Sequence, residues 1–164
     1  ALIDYEKPVV AAVDGAAVGI GTTLLMHCDY VIATNTTKFR MPFVPLGVVP
    51  EAASSLLMPA IVGHQKASEW LLLGDVFSGE EAHAAGLVNT LVTADTLVQK
   101  ADEIAAKFAA QPPEALRISK KLLREPLRAR VRETLTKEGQ IFLERLQAPE
   151  TVEAMMRFMM KGKG

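Results

Sequence analysis

Apolar residues occur in two kinds of run along this chain, and the change between them falls near Thr93. The run Pro8–Val13, PVVAAV, is valine-rich without alternation and predicts a strand buried on both faces. It breaks at Asp14-Gly15 and leads into a segment carrying Gly15, Gly19 and Gly21, after which a helical pattern begun near Gly19 continues from Leu24 to Cys28. Asp29–Thr34 reads as a second buried strand, Asn35-Thr36-Thr37 as a turn, and Lys38–Met41 as a short alternating strand. Pro42, Pro45 and Pro50 predict an extended loop over Phe43–Val49, because proline disfavours helix at itself and at the residue before it. Glu51 is expected to open a helix that runs through Met58 toward Gly63, kinked or divided at Pro59. His64–Leu73 reads as a helix stopped by Gly74. Ser78-Gly79-Glu80-Glu81 forms a capping box for a short helix ending at Gly86, before a strand over Leu87–Val92.

Beyond Thr93 only the helical period remains. Asp95–Ala110 is one helix, a second starts at Pro112-Pro113 and reaches Arg124, and a third carries Leu127, Val131, Leu135, Phe142 and Leu146 on one stripe. The last places Val152, Met155, Met156, Met159 and Met160 at i, i+3, i+4, i+7 and i+8, a face that needs a partner. Strands alternating with helices, then helices alone, predict an α/β layer over residues 1–93 and a helical region over 94–164.

With 164 residues, 49% of them hydrophobic, the chain can bury one real core. A net charge of −1 leaves no electrostatic footprint for nucleic acid or an anionic membrane. No apolar run approaches a membrane span and no basic leader with an apolar core opens the chain, so a cytoplasmic protein is expected. The single cysteine, Cys28, excludes a disulfide framework and reads as a small buried hydrophobe or, alternatively, a reactive thiol. His27, His64 and His83 lack ligand spacing, so no metal site is expected. Trp70 and Leu71–Leu73 read as core.

The glycine segment is where the chain departs most from a generic core. A strand entering a glycine-rich turn and then a helix leaves free N–H groups at the helix start, which suit a phosphate or the enolate-like oxygen of a thioester. Gly15, Gly19 and Gly21 follow G-x-x-x-G-x-G, not the dinucleotide G-x-G-x-x-G, and no Lys-Ser or Lys-Thr pair follows for a P-loop. Taken by itself, the glycine cluster reads first as a tight turn with close helix packing.

Three blocks in order, GAAVGIGTTLLMHCDYVIA, FRMPFVPLGVVPEAASSLLMPAIVG and LLLGDVFSGEEAHAAGLVNTLV, resemble the crotonase superfamily of enoyl-CoA hydratases and isomerases. The likeness is close over residues 7–92 and loose over the later helices. It implies the C-terminal part of a crotonase-type ββα spiral followed by a helical oligomerisation region, in a homotrimer or hexamer; the alternative is that these helices pack only on their own subunit. It also implies an acyl-CoA thioester as substrate, with no other cofactor. The family's N-terminal portion, which supplies a second oxyanion donor and much of the adenine pocket, has no counterpart here, so a fragment is expected.

Set against the family's motifs, the two glutamates that flank a water in hydratases map onto Thr23 and Phe43, neither of which can act as a base near neutral pH. Glu51, in LGVVPEAASS, instead resembles the single catalytic glutamate of the peroxisomal-type Δ3,Δ2-enoyl-CoA isomerases, whose L-G-x-x-P-E-G setting ends in glycine where this chain has Ala52. One base suffices to move a proton from C2 to C4, and Phe43 in place of a carboxylate would help exclude water. The competing reading of Glu51 is an acid at a helix start, favoured by the helix dipole. The backbone N–H of Ile20, between Gly19 and Gly21, maps onto the oxyanion donor, and Lys161 onto a lysine that reaches a coenzyme A phosphate, unless it is simply a solvated terminal lysine. The expected activity is that of an enoyl-CoA isomerase; the alternatives are a hydratase-like enzyme and a non-catalytic acyl-CoA-binding or assembly module.

Overall fold

The valine-rich run forms strand β1 (Val10–Val13), but it lies at the edge of its sheet with Ala12 exposed, so burial on both faces is not met among the described residues. The computed structural model describes residues 2–161, without the side chains of Met159 and Lys161. After the Asp14-Gly15 turn, Ala16–Val18 form β2, a strand hidden inside the glycine segment. Ile20–Thr23 then make a single turn of helix, α1, continued as a 3₁₀ turn over Leu24–His27. β3 (Tyr30–Thr34) is the buried strand expected there, and β4 (Lys38–Arg40) the short one.

Each of these strand pairs crosses between two layers. β1 and β3 pair in parallel, Val10 opposite Tyr30, whereas β2 pairs in parallel with β4, Ala17 opposite Phe39. The corners where the chain changes layer are stitched by small polar groups. Thr34 Oγ1 donates to Asp14 Oδ1 at 2.8 Å, and Thr37 Oγ1 donates to the Val13 carbonyl at 3.1 Å. Two further strands complete the sheets. β5 (Val76–Ser78) runs antiparallel to β4, and β6 (Thr90–Val92) runs parallel to β3. The expected strand over Leu87–Val92 is shorter because Leu87 and Val88 donate to the Ala82 carbonyl and the Asn89 side chain accepts from Val31 N, so ladder pairing starts at Thr90.

Helix α2 (Ser54–Val62) runs through Pro59 without dividing, and α3 (His64–Ser68) passes into a π-helical turn over Glu69–Leu73 before Gly74 stops it in the left-handed region. Trp70 is buried there and stacks on Phe77 at 3.8 Å, with Phe39 5.5 Å beyond. Each buried ring of this kind contributes roughly 1.5–3 kcal/mol through removal from water. Leu72 and Leu73 are 56% and 60% exposed, so the core assignment holds for Trp70 and Leu71 only. The Ser78 capping box is present and opens α4 (Gly79–Ala84).

The proline-rich loop is not extended. Val44–Leu46 close a 3₁₀ turn that ends at Gly47 with φ 78°. A Cβ at Gly47 would sit 2.8 Å from the Thr151 backbone, because Thr151 Oγ1 and Arg145 Nε both donate to the Gly47 carbonyl, at 2.8 and 2.9 Å. That contact docks the last helix, α7 (Pro149–Lys161), on the α/β layer. Before it come α5 (Leu97–Ala109), whose Leu97 and Ile104 pack on Ile32, and α6 (Pro113–Leu146).

α6 is one helix of 34 residues where two are expected, and Pro126 lies inside it. A proline there removes one backbone hydrogen bond and crowds the preceding turn. Ion pairs on both sides hold the axis: Lys120 and Arg124 reach Asp29, and Arg128 and Arg132 reach Asp4. The gap in the ladder faces an exposed flank, where water can serve the freed carbonyl.

Candidate active site

Gly19 turns the chain from β2 into α1 with φ 56° and ψ −118°, a conformation costly for residues with a Cβ. Nothing lies within 4 Å of where that Cβ would be, so the backbone angle and not a close neighbour requires glycine. The turn is held rigidly. Gly19 N donates to the Arg40 carbonyl at 2.9 Å, Thr22 Oγ1 donates to the Ala17 carbonyl at 2.6 Å, and Thr22 and Thr23 N–H both donate to the Gly19 carbonyl. Ile20 and Gly21, the first helical residues, have no intrahelical acceptor for their N–H groups. The Ile20 side chain is 57% exposed.

Glu51 does not open a helix. It stands in a loop three residues before α2, and Ala52 and Ala53 follow with φ 57° and 58°. The acid at the helix start is Glu138, reaching over from α6. Its Oε2 accepts from Ala53 N at 2.6 Å, and its Oε1 accepts from Ser55 N at 2.9 Å and from Ser55 Oγ at 2.5 Å. Glu138 therefore satisfies the orphan donors that an N-cap side chain would normally take. His27 Nε2 donates to the Ala52 carbonyl at 2.8 Å, since a carbonyl can only accept.

With that role filled, the Glu51 side chain turns the other way. Thr23 Oγ1, one turn after Ile20 on α1, donates to Glu51 Oε1 at 2.5 Å. The carboxylate is thus held beside the same helical turn whose first N–H groups are free. Burial pushes the Glu51 carboxyl above the usual glutamate range; the Thr23 hydrogen bond opposes this, the nearby Glu138 charge adds to it, and His27 opposes it. A half-buried carboxylate of raised basicity beside unpaired N–H groups can take a proton from carbon while the N–H groups stabilise the resulting oxyanion.

Among the other expected site residues, Gly21 lies in the turn, its absent Cβ only in ordinary contact with Ala17. Phe43 is 5% exposed and belongs to the hydrophobic core instead of lining an open surface. Lys161 closes α7, and its side chain lies outside the described residues. His83 Nδ1 bonds the Val88 carbonyl at 2.9 Å. No group of three potential metal ligands occurs among the described residues, and no helix there is long and apolar enough to cross a membrane. A cavity of about 870 Å³ lined by Tyr5, Pro8, Val10, Phe108 and Leu116 contains none of Ile20, Thr23 or Glu51.

Glu138 was missed by the pattern of the chain, although a signal was present. It occupies i+7 from Val131 and i−4 from Phe142, so a charged residue interrupts the buried stripe of α6.

The two left-handed alanines carry a measurable strain. A Cβ in that region costs on the order of 1 kcal/mol or more, and position 52 is where the isomerase-like motif has glycine. Ala52→Gly is expected to raise Tm by about 2–4 °C in thermal denaturation; a lowered Tm would show that the Ala52 methyl supports the loop.

Comparison with known proteins places the whole chain. The family model described as enoyl-CoA hydratase/isomerase matches residues 1–164. Enoyl-CoA delta isomerase 2 of Rattus norvegicus is 37% identical over 157 residues, covering 96% of this chain and 40% of the relative. The 2,3-dehydroadipyl-CoA hydratase of Escherichia coli is 31% identical over 96% of this chain and 62% of its own. The crystal structure of an enoyl-CoA hydratase/isomerase from Pseudoalteromonas atlantica superimposes with a TM-score of 0.95 at 40% identity, over 98% of this chain and 64% of that one. The chain spans about half the length of curated relatives it matches.

Proposed function

The chain belongs to the enoyl-CoA hydratase/isomerase family of enzymes, and from that premise we propose that the full-length protein is an isomerase that moves the double bond of a 3-enoyl-CoA to the 2-position. Glu51 removes a proton from C2 of the thioester, the electrons delocalise into a dienolate, and Glu51 returns the proton to C4. The double bond passes from C3–C4 to C2–C3 with no net gain or loss of atoms. The Ile20 N–H, between Gly19 and Gly21, faces the developing charge on the thioester oxygen.

The observation that carries this reading is the 2.5 Å hydrogen bond from Thr23 Oγ1 to Glu51 Oε1. It sets one carboxylate against the glycine turn and occupies, with a hydroxyl, the position where a hydratase-like site would need a second. Phe43, buried in the core, offers no replacement. Supplying the full-length protein with a 3-enoyl-CoA and separately with a 2-enoyl-CoA tests it. Double-bond migration without hydration is expected. Hydration as fast as migration would make the protein a hydratase, and binding with neither reaction would make it a non-catalytic acyl-CoA binder.

The protein also assembles with itself, as a trimer or a pair of trimers. Support comes from large apolar side chains left on the surface of α6 and α7: Leu122 at 67% exposure, Leu123 at 82%, Leu143, Met156 and Phe158. Light scattering of the full-length protein at micromolar concentration is expected to give a mass that is a multiple of three chains; a compact monomer would overturn it.

A further inference from the structure

The geometry points to Glu138 as a positioning residue for the proposed base: its carboxylate on α6 gathers Ala53 N, Ser55 N and Ser55 Oγ, and so fixes the loop that presents Glu51. This inference rests on the reading of Glu51 as the base.

The loop needs a partner from outside its own helix. Ala52 and Ala53 occupy left-handed backbone, which alanines leave readily unless neighbouring contacts over-determine it. The side-chain contacts on this backbone are His27 on the Ala52 carbonyl and Glu138 on the donors at 53 and 55, while the Ala53 carbonyl accepts from Leu56 N and Leu57 N inside the helix it opens. Glu51 itself contributes its carbonyl, which accepts from Ser54 N at 3.0 Å. The donors at 53 and 55 and the Glu51 carboxylate are therefore parts of one rigid turn. Glu138 is buried, 7% exposed, and lies 85 residues along the chain from Ala53, so it spends a costly buried charge on this one task.

Glutamine cannot replace it. Whichever way the amide is turned, its NH₂ group meets either Ala53 N–H or the two Ser55 donors, and at least one buried donor is left facing another. The substitution also removes a negative charge near Glu51, whose other titratable neighbour is His27 and whose hydrogen-bond partner is Thr23.

The test uses the full-length protein and a 3-enoyl-CoA. Glu138→Gln is expected to lower kcat on the order of tenfold or more through misplacement of the base, with KM changed by less than about twofold. The acid limb of the kcat profile is expected to move to lower pH: burial, the main cause of the raised basicity of Glu51, stays, but the Glu138 charge that adds to it is gone. Glu138→Asp keeps the charge one methylene short, and should lose kcat while leaving that limb in place. Ser55→Ala removes a single donor and leaves Glu138 two backbone N–H partners, so it is expected to fold even if Glu138→Gln does not, and to lower kcat with KM intact. Unchanged kcat and an unmoved acid limb in the folded variants, or kcat and KM falling in step, would overturn the inference. If Glu51→Gln abolishes isomerisation while the Glu138 and Ser55 variants behave as wild type, this inference alone fails. If Glu51→Gln stays active, the assignment of the base fails and takes this inference with it.

Discussion

Glu51→Gln in the full-length protein is expected to reduce isomerisation by about 10² to 10⁴-fold while acyl-CoA binding stays nearly unchanged. The amide has the volume of the carboxylate and can still accept the Thr23 hydrogen bond, now 2.5 Å long, so the loop need not move. What it loses is the ability to take a proton from carbon at neutral pH. Binding is expected to survive because, in the proposed mechanism, the thioester oxygen would be met by backbone N–H groups at the glycine turn, which the substitution leaves alone. Steady-state rates on a 3-enoyl-CoA, with calorimetry on a saturated acyl-CoA, separate the two effects. The wild-type pH profile supplies an independent check. Glu51 acts as a base only when ionised, and burial raises its pKa, so activity should fall with falling pH through a limb above the ordinary glutamate range. The limb should be absent from the residual rate of Glu51→Gln. Undiminished isomerisation in that variant would show that Glu51 is not the base.

Asp29→Ala is expected to destabilise the fold by about 3–5 kcal/mol, because it leaves a buried partner charge uncompensated. Asp29 Oδ2 accepts from Val9 N and from Lys120 Nζ, both at 2.7 Å, and Oδ1 accepts from Arg124 at 2.9 Å. Lys120 is 6% exposed, so removing its partner strands a buried ammonium whose remaining contacts among the described residues are the Lys7 carbonyl and the face of Tyr5. Asp29 itself keeps part of its surface in water, which puts the expected value toward the lower end of that range. Asp29→Asn preserves an acceptor for Val9 and should cost less than alanine. Urea denaturation of the three proteins measures both steps, and a loss below about 1 kcal/mol for alanine would mean that Lys120 finds water when its partner is removed.

The elements that the amino-acid pattern determined are those whose cause is local. β3 needs only its run of apolar residues, the α4 start needs only Ser78 and Glu81 three residues apart, and α5 needs only a stripe that recurs with the helical turn. The glycine turn into α1 belongs with them, because a φ of 56° at position 19 is a property of one residue. The ordered motifs likewise carried the family and singled out Glu51. Other features were decided by contacts between distant parts of the chain. β2 and β5 are three residues each, lie inside a glycine segment and directly before a helix cap, and exist because β4 pairs with both. α6 continues through Pro126 because ion pairs to Asp4 and Asp29 hold both sides of it. The position of Glu51 is of the same kind. A glutamate before a run of small residues reads as a helix-start acid, and it is freed from that role only because Glu138, 87 positions later, caps the helix in its place. Local preference chooses among conformations separated by a kilocalorie or so, whereas a buried carboxylate with three donors to satisfy imposes its own geometry on whatever loop supplies them.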